Sequence, residues 1–204
     1  MILKILPIRI PLIVDLITEK CVLHYGFAND DLFWDKLQQD TFLHEHLWRQ
    51  ALVCYGIDIN EKAVKELKSF YFDTIFTKEN RKTTEIEWHY IILGEILEHI
   101  PEPVAFLKQI KKLHPKSKIL ITTPNAFSLK NFINVFRRKE SVNSDHYFWF
   151  SEKTLLRTLK KANLSGDIKY IESYERGFFT SIFLILFPMF RNKIRNILVK
   201  NPLS

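Results

Sequence analysis

The sequence predicts an α/β fold, a mostly parallel sheet with helices on both faces. Three observations carry this. Short apolar runs alternate with amphipathic stretches of about ten to fifteen residues. The runs are apolar throughout rather than at every second position, as in strands covered on both sides. Cap and turn residues punctuate them, and no linker or internal repeat divides the chain.

In order, Lys20–Gly26 (KCVLHYG) reads as the first strand and Thr41–Ala51 as a helix. Leu52–Asp58 (LVCYGID) is the second strand, followed by a helix over Asn60–Ser69 with Asn60 as N-cap. Tyr71–Thr77 is expected as the third strand and Trp88–Gly94 (WHYIILG) as the fourth. A helix at Pro103–His114 leads to the fifth strand, Lys118–Thr123. Ser151–Asn163 forms a helix capped by Ser151, and Ile168–Tyr174 a further strand. A final strand pair is not readable after Tyr174. The expectation is a single domain over 1–204, with its core in 20–174 and an apolar, basic extension over 175–204.

The 204 residues, 47% hydrophobic and 14% aromatic, suffice for a substantial core. They exclude a disordered chain, a collagen-like repeat and a disulfide-stapled scaffold. Cys21 and Cys54 sit in apolar runs as small hydrophobes, which suggests a reducing, cytoplasmic setting. The net charge of +7 is uneven: residues 1–100 hold 11 Lys and Arg against 16 Asp and Glu, residues 101–204 hold 19 against 7. The basic half suits an anionic partner or, equally, solvated helix faces.

Parallel sheets bind ligands at the C-terminal strand ends beside the switch point. Gly26 ends the first strand, where a tight turn lets backbone approach a nucleoside. Asp58 ends the second, where a carboxylate accepts ribose hydroxyls. VLHYGFAND at Val22–Asp30, GIDINEKAVKELK at Gly56–Lys68, YIILGEILEHIPEPVAFLKQIKKL at Tyr90–Leu113 and KILITTPNAFSL at Lys118–Leu129 together resemble the motifs of class I S-adenosylmethionine-dependent methyltransferases. The resemblance implies their Rossmann-like fold and S-adenosylmethionine as cofactor, contacted by Gly26, Phe27, Asp58, Ile59, Leu93 and Gly94. The first motif departs from the family: His24 replaces the usual acid, and Ala28 and Asp30 replace glycines.

Glu95, Glu98 and His99 form E-x-x-E-H just past the fourth strand. In a helical turn, i, i+3 and i+4 share a face, so two carboxylates and an imidazole would converge. Such a set suits a divalent cation of intermediate hardness. His146, preceded by Asp145, follows 47 residues after His99, far enough for a strand and a helix to return to the same rim. This pairing resembles two metal-using branches, the ubiquinone-biosynthesis O-methyltransferases and the small-RNA 3′-terminal 2′-O-methyltransferases. That resemblance implies Glu95, Glu98, His99 and His146 as ligands of Mg²⁺ or Mn²⁺, which would activate a hydroxyl of a vicinal diol. Two alternatives stand beside it: a metal-free catalytic base at His99 or His146, and a structural role for the turn. For Asp145, backbone capping is expected rather than a contact with its neighbour.

His24, His89 and His114 are expected in or beside core elements, and His44 and His46 on different helix faces. No nucleophile elbow, phosphate-cradling loop or paired-cysteine knuckle is present. Lys130, Arg137, Arg138 and Lys139 alternate with Phe127, Phe132, Phe136 and Tyr147–Phe150, either an acceptor-holding loop or a packed lid. The run Phe178–Phe190 is too short to span a bilayer. With Arg191, Lys193 and Arg195 behind it, 177–195 suits a packed or homodimer-forming helix, or a peripheral membrane contact.

The activity implied is methyl transfer to a hydroxyl of a sugar-like or ribose acceptor, in a small molecule, a glycan or an RNA end. The alternative is a degenerate methyltransferase fold serving as a binding subunit.

Overall fold

In the computed structural model of the protein, the residues described are 9–28, 33–128, 131, 134–135, 137–140 and 142–171, together with the backbone of 194–200. The first described elements are α1 (Arg9–Ile17), β1 (Cys21–Tyr25), α2 (Phe33–Gln38), α3 (Leu43–Gln50) and β2 (Val53–Ile57). Next come α4 (Glu61–Tyr71), a 3₁₀ turn (Phe72–Thr74), β3 (Ile75–Phe76) and α5 (Arg81–Glu85). β4 (Tyr90–Gly94), a 3₁₀ turn (Leu97–His99), α6 (Pro103–Leu113) and β5 (Lys118–Thr123) follow. The last elements are α7 (Glu152–Lys161), β6 (Ser165–Ile171) and β7 (Ile194–Lys200).

These strands make one seven-stranded sheet of order β3-β2-β1-β4-β5-β7-β6. β1 to β5 are mutually parallel, while β7 runs antiparallel to both β5 and β6. The order reverses between β1 and β4, so a crevice opens there at the C-terminal strand ends.

Side-chain alternation explains both layers. Val22, Tyr90, Ile92 and Leu120 face one side, against Ile10, Ile13 and Ile17 of α1 and Leu43 and Leu47 of α3. Leu23, Tyr25, Ile91, Leu93, Ile119 and Ile121 face the other, against Leu107 and Ile110 of α6 and Leu155 and Leu159 of α7. A third cluster packs Phe27, Ala28 and Phe33 on Ala63, Val64 and Leu67 of α4. Each fully buried isoleucine or leucine contributes about 1.5–3 kcal/mol.

Both expected caps form. The Asn60 side chain accepts from the Ala63 amide at 3.1 Å. Ser151 and Thr154 make a reciprocal capping box at the start of α7. The third strand is a correction: α4 runs on through Tyr71, which is buried against it, and only Ile75–Phe76 pairs with β2. The expected strand at Ile168–Tyr174 starts earlier, at Ser165, and is described to Ile171. β7 supplies the antiparallel strand that the sequence left unread, and it places Arg195 in the sheet. His89 is exposed, its Nδ1 accepting the Cys21 amide at 3.1 Å, whereas His24 and His114 are buried as expected. The apolar run Phe178–Phe190 lies entirely outside the described residues, and of 177–195 only the backbone of 194–195 is described. No helix among them is long and apolar enough to cross a membrane.

Candidate active site

A cavity of about 530 Å³ opens at the C-terminal ends of β1, β2 and β4, within the range of small-molecule sites. Of the residues that the resemblance implies as cofactor contacts, Gly26, Asp58, Ile59 and Gly94 line it. Phe27 and Leu93 do not. Leu93 is fully buried in the core, and buried Phe27 packs beside Gly56, where a Cβ would approach its ring to 2.7 Å. The Phe27 ring therefore belongs to the core cluster on α4 and does not fill the hollow. Gly26 turns the chain with φ +65°, a conformation that favours glycine, and a Cβ there would meet the Ile96 side chain at 2.7 Å, so any larger residue would have to displace Ile96.

Asp58 is buried at the cavity floor. Its Oδ2 accepts the Ala28 amide at 2.7 Å and its Oδ1 the Asn60 amide at 2.9 Å. These two amides orient the carboxylate at the cavity. Exposed Ile59 beside it, with Ile100 and Phe106 in the wall, offers the apolar surface that a purine ring requires.

The opposite wall carries Glu95, His99, Asp145 and His146. Glu95 has φ +57° and precedes the 3₁₀ turn that holds Glu98 and His99. The left-handed residue breaks the shared helical face expected for the motif. Glu98 is 1% exposed; Oε2 accepts the Thr123 hydroxyl at 3.0 Å, while Oε1 has no hydrogen-bond partner. Burial, then the neighbouring Glu95 charge, pushes its carboxyl up to about 8. The Glu98 carbonyl accepts the Tyr147 and Phe148 amides at 2.8 and 3.2 Å, which pins the returning loop and brings His146 beside His99. The two imidazoles meet edge to face at 4.4 Å. His146 Nδ1 is buried without a partner, and burial followed by the His99 charge lowers its pKa.

Donor atoms of Glu98, His99 and His146 lie within 4.8 Å of one another. Glu95 falls outside this group and forms an ion pair with Arg9 of α1 at 3.0 Å. Asp145 takes a role that the sequence did not assign: its Oδ2 lies 2.8 Å from His99 Nδ1. That contact fixes one ring nitrogen and presents the other, the arrangement by which carboxylates orient metal-binding imidazoles. Adjacency to His146 concealed it, because the carboxylate serves the other histidine. Of the basic and aromatic segment, Tyr147 lines the cavity and Phe127 is exposed, while Lys130, Phe132 and Phe136 lie outside the described residues.

Comparison with known proteins agrees with this geometry. The methyltransferase domain family model matches residues 12–167. No curated protein matches by sequence. Among solved structures, a SAM-dependent methyltransferase from Aquifex aeolicus is 13% identical, with 94% of this chain and 87% of that one covered and a TM-score of 0.55. A magnesium protoporphyrin IX methyltransferase from Synechocystis with bound SAH is 14% identical, covering 94% and 82%, with a TM-score of 0.55. A small RNA methyltransferase is 16% identical at a TM-score of 0.58; 93% of this chain matches, but it spans only 24% of that longer one. At such identities the likeness establishes the fold. With a family model covering most of its length and a cavity at the topological switch point, the chain belongs to the methyltransferase domain family and is a class I S-adenosylmethionine-dependent methyltransferase.

Proposed function

We propose that the enzyme transfers the methyl group to a hydroxyl oxygen of a sugar-like or ribose acceptor, with a divalent cation held by Glu98, His99 and His146. The observation that carries this reading is the donor group itself: a buried carboxylate and two imidazoles within 4.8 Å on the cavity wall, with Glu98 Oε1 and His146 Nδ1 lacking partners. Buried polar atoms are left unpaired only at a cost of about 1–3 kcal/mol each, so orphaned atoms on two members of one donor group fit a ligand that both residues can bind. One carboxylate oxygen and two nitrogens suit Mn²⁺, Fe²⁺ or Zn²⁺ as well as Mg²⁺.

The chemistry needs little else from the protein. The sulfonium already activates the methyl carbon, whose bond to sulfur breaks as the bond to the acceptor oxygen forms; S-adenosylhomocysteine leaves with the sulfur's electron pair, and the hydroxyl proton passes to water. A bound cation supplies acidification of that hydroxyl, as it does for coordinated water, whose pKa falls from 15.7 to about 7 in the best case. Asp58 holds the ribose of the cofactor at one side of the cavity, and Asp145 keeps His99 oriented at the other. Glycine at 26 allows close approach between them.

An acceptor panel with labelled S-adenosylmethionine tests the reading. Vicinal-diol acceptors (ribonucleoside-terminated oligonucleotides and sugar diols) should be methylated with Mn²⁺ and lose at least about 100-fold of the rate with chelator. Methylation of deoxy acceptors at the same rate, indifferent to chelator, would contradict it.

A further inference from the structure

The sequence offers two carboxylates to the candidate cation, but the fold treats them differently. Neither Oε1 accepts a hydrogen bond, but Glu98 is 1% exposed and belongs to the donor group with the two imidazoles. Glu95 leaves β4 in the left-handed conformation, its amide donating to the Thr122 carbonyl at 2.9 Å. Its Oε1 lies 3.0 Å from Arg9 Nη1, off the N–H direction, so the contact is an ion pair rather than a hydrogen bond. Both partners are largely shielded, at 21% and 26% exposed, so water screens them only in part. Arg9 is held by α1, whose Ile10, Ile13 and Ile17 are fully buried under the sheet.

We propose that Arg9 is a positioning residue that keeps Glu95 out of the cation-binding set, leaving Glu98, His99 and His146 as the protein ligands. The proposal rests on the metal reading above. Its chemical consequence is a matter of charge. A dication bound by one carboxylate and two neutral imidazoles keeps a net +1, where a second carboxylate would cancel it. The residual charge favours an acceptor oxygen that is losing its proton.

Mn²⁺ binding to the full chain, followed by loss of the free-ion paramagnetic resonance signal, tests this without any turnover. Wild-type protein should bind Mn²⁺, and Glu98→Gln should weaken binding more than about 100-fold. Glu95→Gln should change affinity less than about threefold, because its charge already serves Arg9. Arg9→Met should free Glu95 and tighten binding roughly three- to tenfold, a gain that disappears in the Arg9→Met/Glu95→Gln double variant. If Glu95→Gln weakens binding as much as Glu98→Gln does, Glu95 is a ligand and the proposal fails; this comparison decides even if Arg9→Met does not fold. Absence of Mn²⁺ binding by the wild type is a separate result, which removes the metal reading and this inference with it.

Discussion

Acid should destabilise this enzyme through a histidine pair beneath the cofactor loop. His24 and His44 are 2% and 0% exposed, their Nδ1 atoms 3.3 Å apart, and the His44 ring packs on Phe27 at 4.6 Å. Burial, then the His44 and Arg9 charges, holds His24 well below its ordinary pKa, and burial alone takes His44 down to about 3. Both are therefore neutral in the folded chain and free to protonate near pH 6.5 once unfolded. A depressed histidine leaves stability intact above the unfolded pKa and erodes it as pH falls below 6.5, until the folded pKa is reached. At pH 5, 1.5 units below 6.5, His44 costs about 2 kcal/mol at 1.36 kcal/mol per unit. His24 adds a loss of the same sign. Against a typical stability of about 5–15 kcal/mol, that is a large share. Urea unfolding at pH 7.5 and pH 5, for the wild type and for His24→Asn/His44→Asn, measures it. The wild type should lose markedly more midpoint between the two pH values than the double variant. Equal losses would show that the pair does not carry the acid sensitivity.

Three further outcomes follow from the same geometry. Asp145→Asn should weaken Mn²⁺ binding about 10–100-fold with little change in melting temperature, because the substitution disturbs the orientation of His99 and no buried packing. Gly26→Ala should cost about 1–2 kcal/mol in urea unfolding and also weaken cofactor binding in calorimetry, since it imposes both a left-handed alanine and a clash with Ile96. Ser151→Ala should cost about 1 kcal/mol by the same unfolding assay and leave methyl transfer unchanged, since its capping box lies at the start of α7, outside the cavity wall.

The parallel half of the sheet was legible because its strands are continuous apolar runs that end in a glycine or an acid, as at Tyr25–Gly26 and Ile57–Asp58. The third strand misled because Tyr71 and Phe72 have strand-like side chains, yet Tyr71 completes the buried stripe of α4 after Ala63, Val64 and Leu67. α1 was missed although Ile10, Ile13 and Ile17 fall at helical spacing, because Pro11 and Asp15 interrupt the run; a proline in the first turn costs a helix no hydrogen bond. In the site, residue types pointed to the right cluster and local geometry redistributed the roles. The positive φ at Glu95 turned that side chain toward Arg9, a partner 86 positions earlier that no local spacing reveals. Asp145 crossed to His99 for the same reason: tertiary contact, rather than neighbourhood in sequence, chose its partner.

Methyl transfer in this cavity requires a nucleoside held at Asp58, across from His99. Calorimetric titration of the wild type and of Asp58→Ala with S-adenosylhomocysteine addresses this directly. Saturable binding by the wild type, weakened at least about tenfold in Asp58→Ala for a lost charge-assisted hydrogen bond to ribose, is the expected result. Affinity unchanged by the substitution, or no heat from the wild type at millimolar ligand, would contradict it.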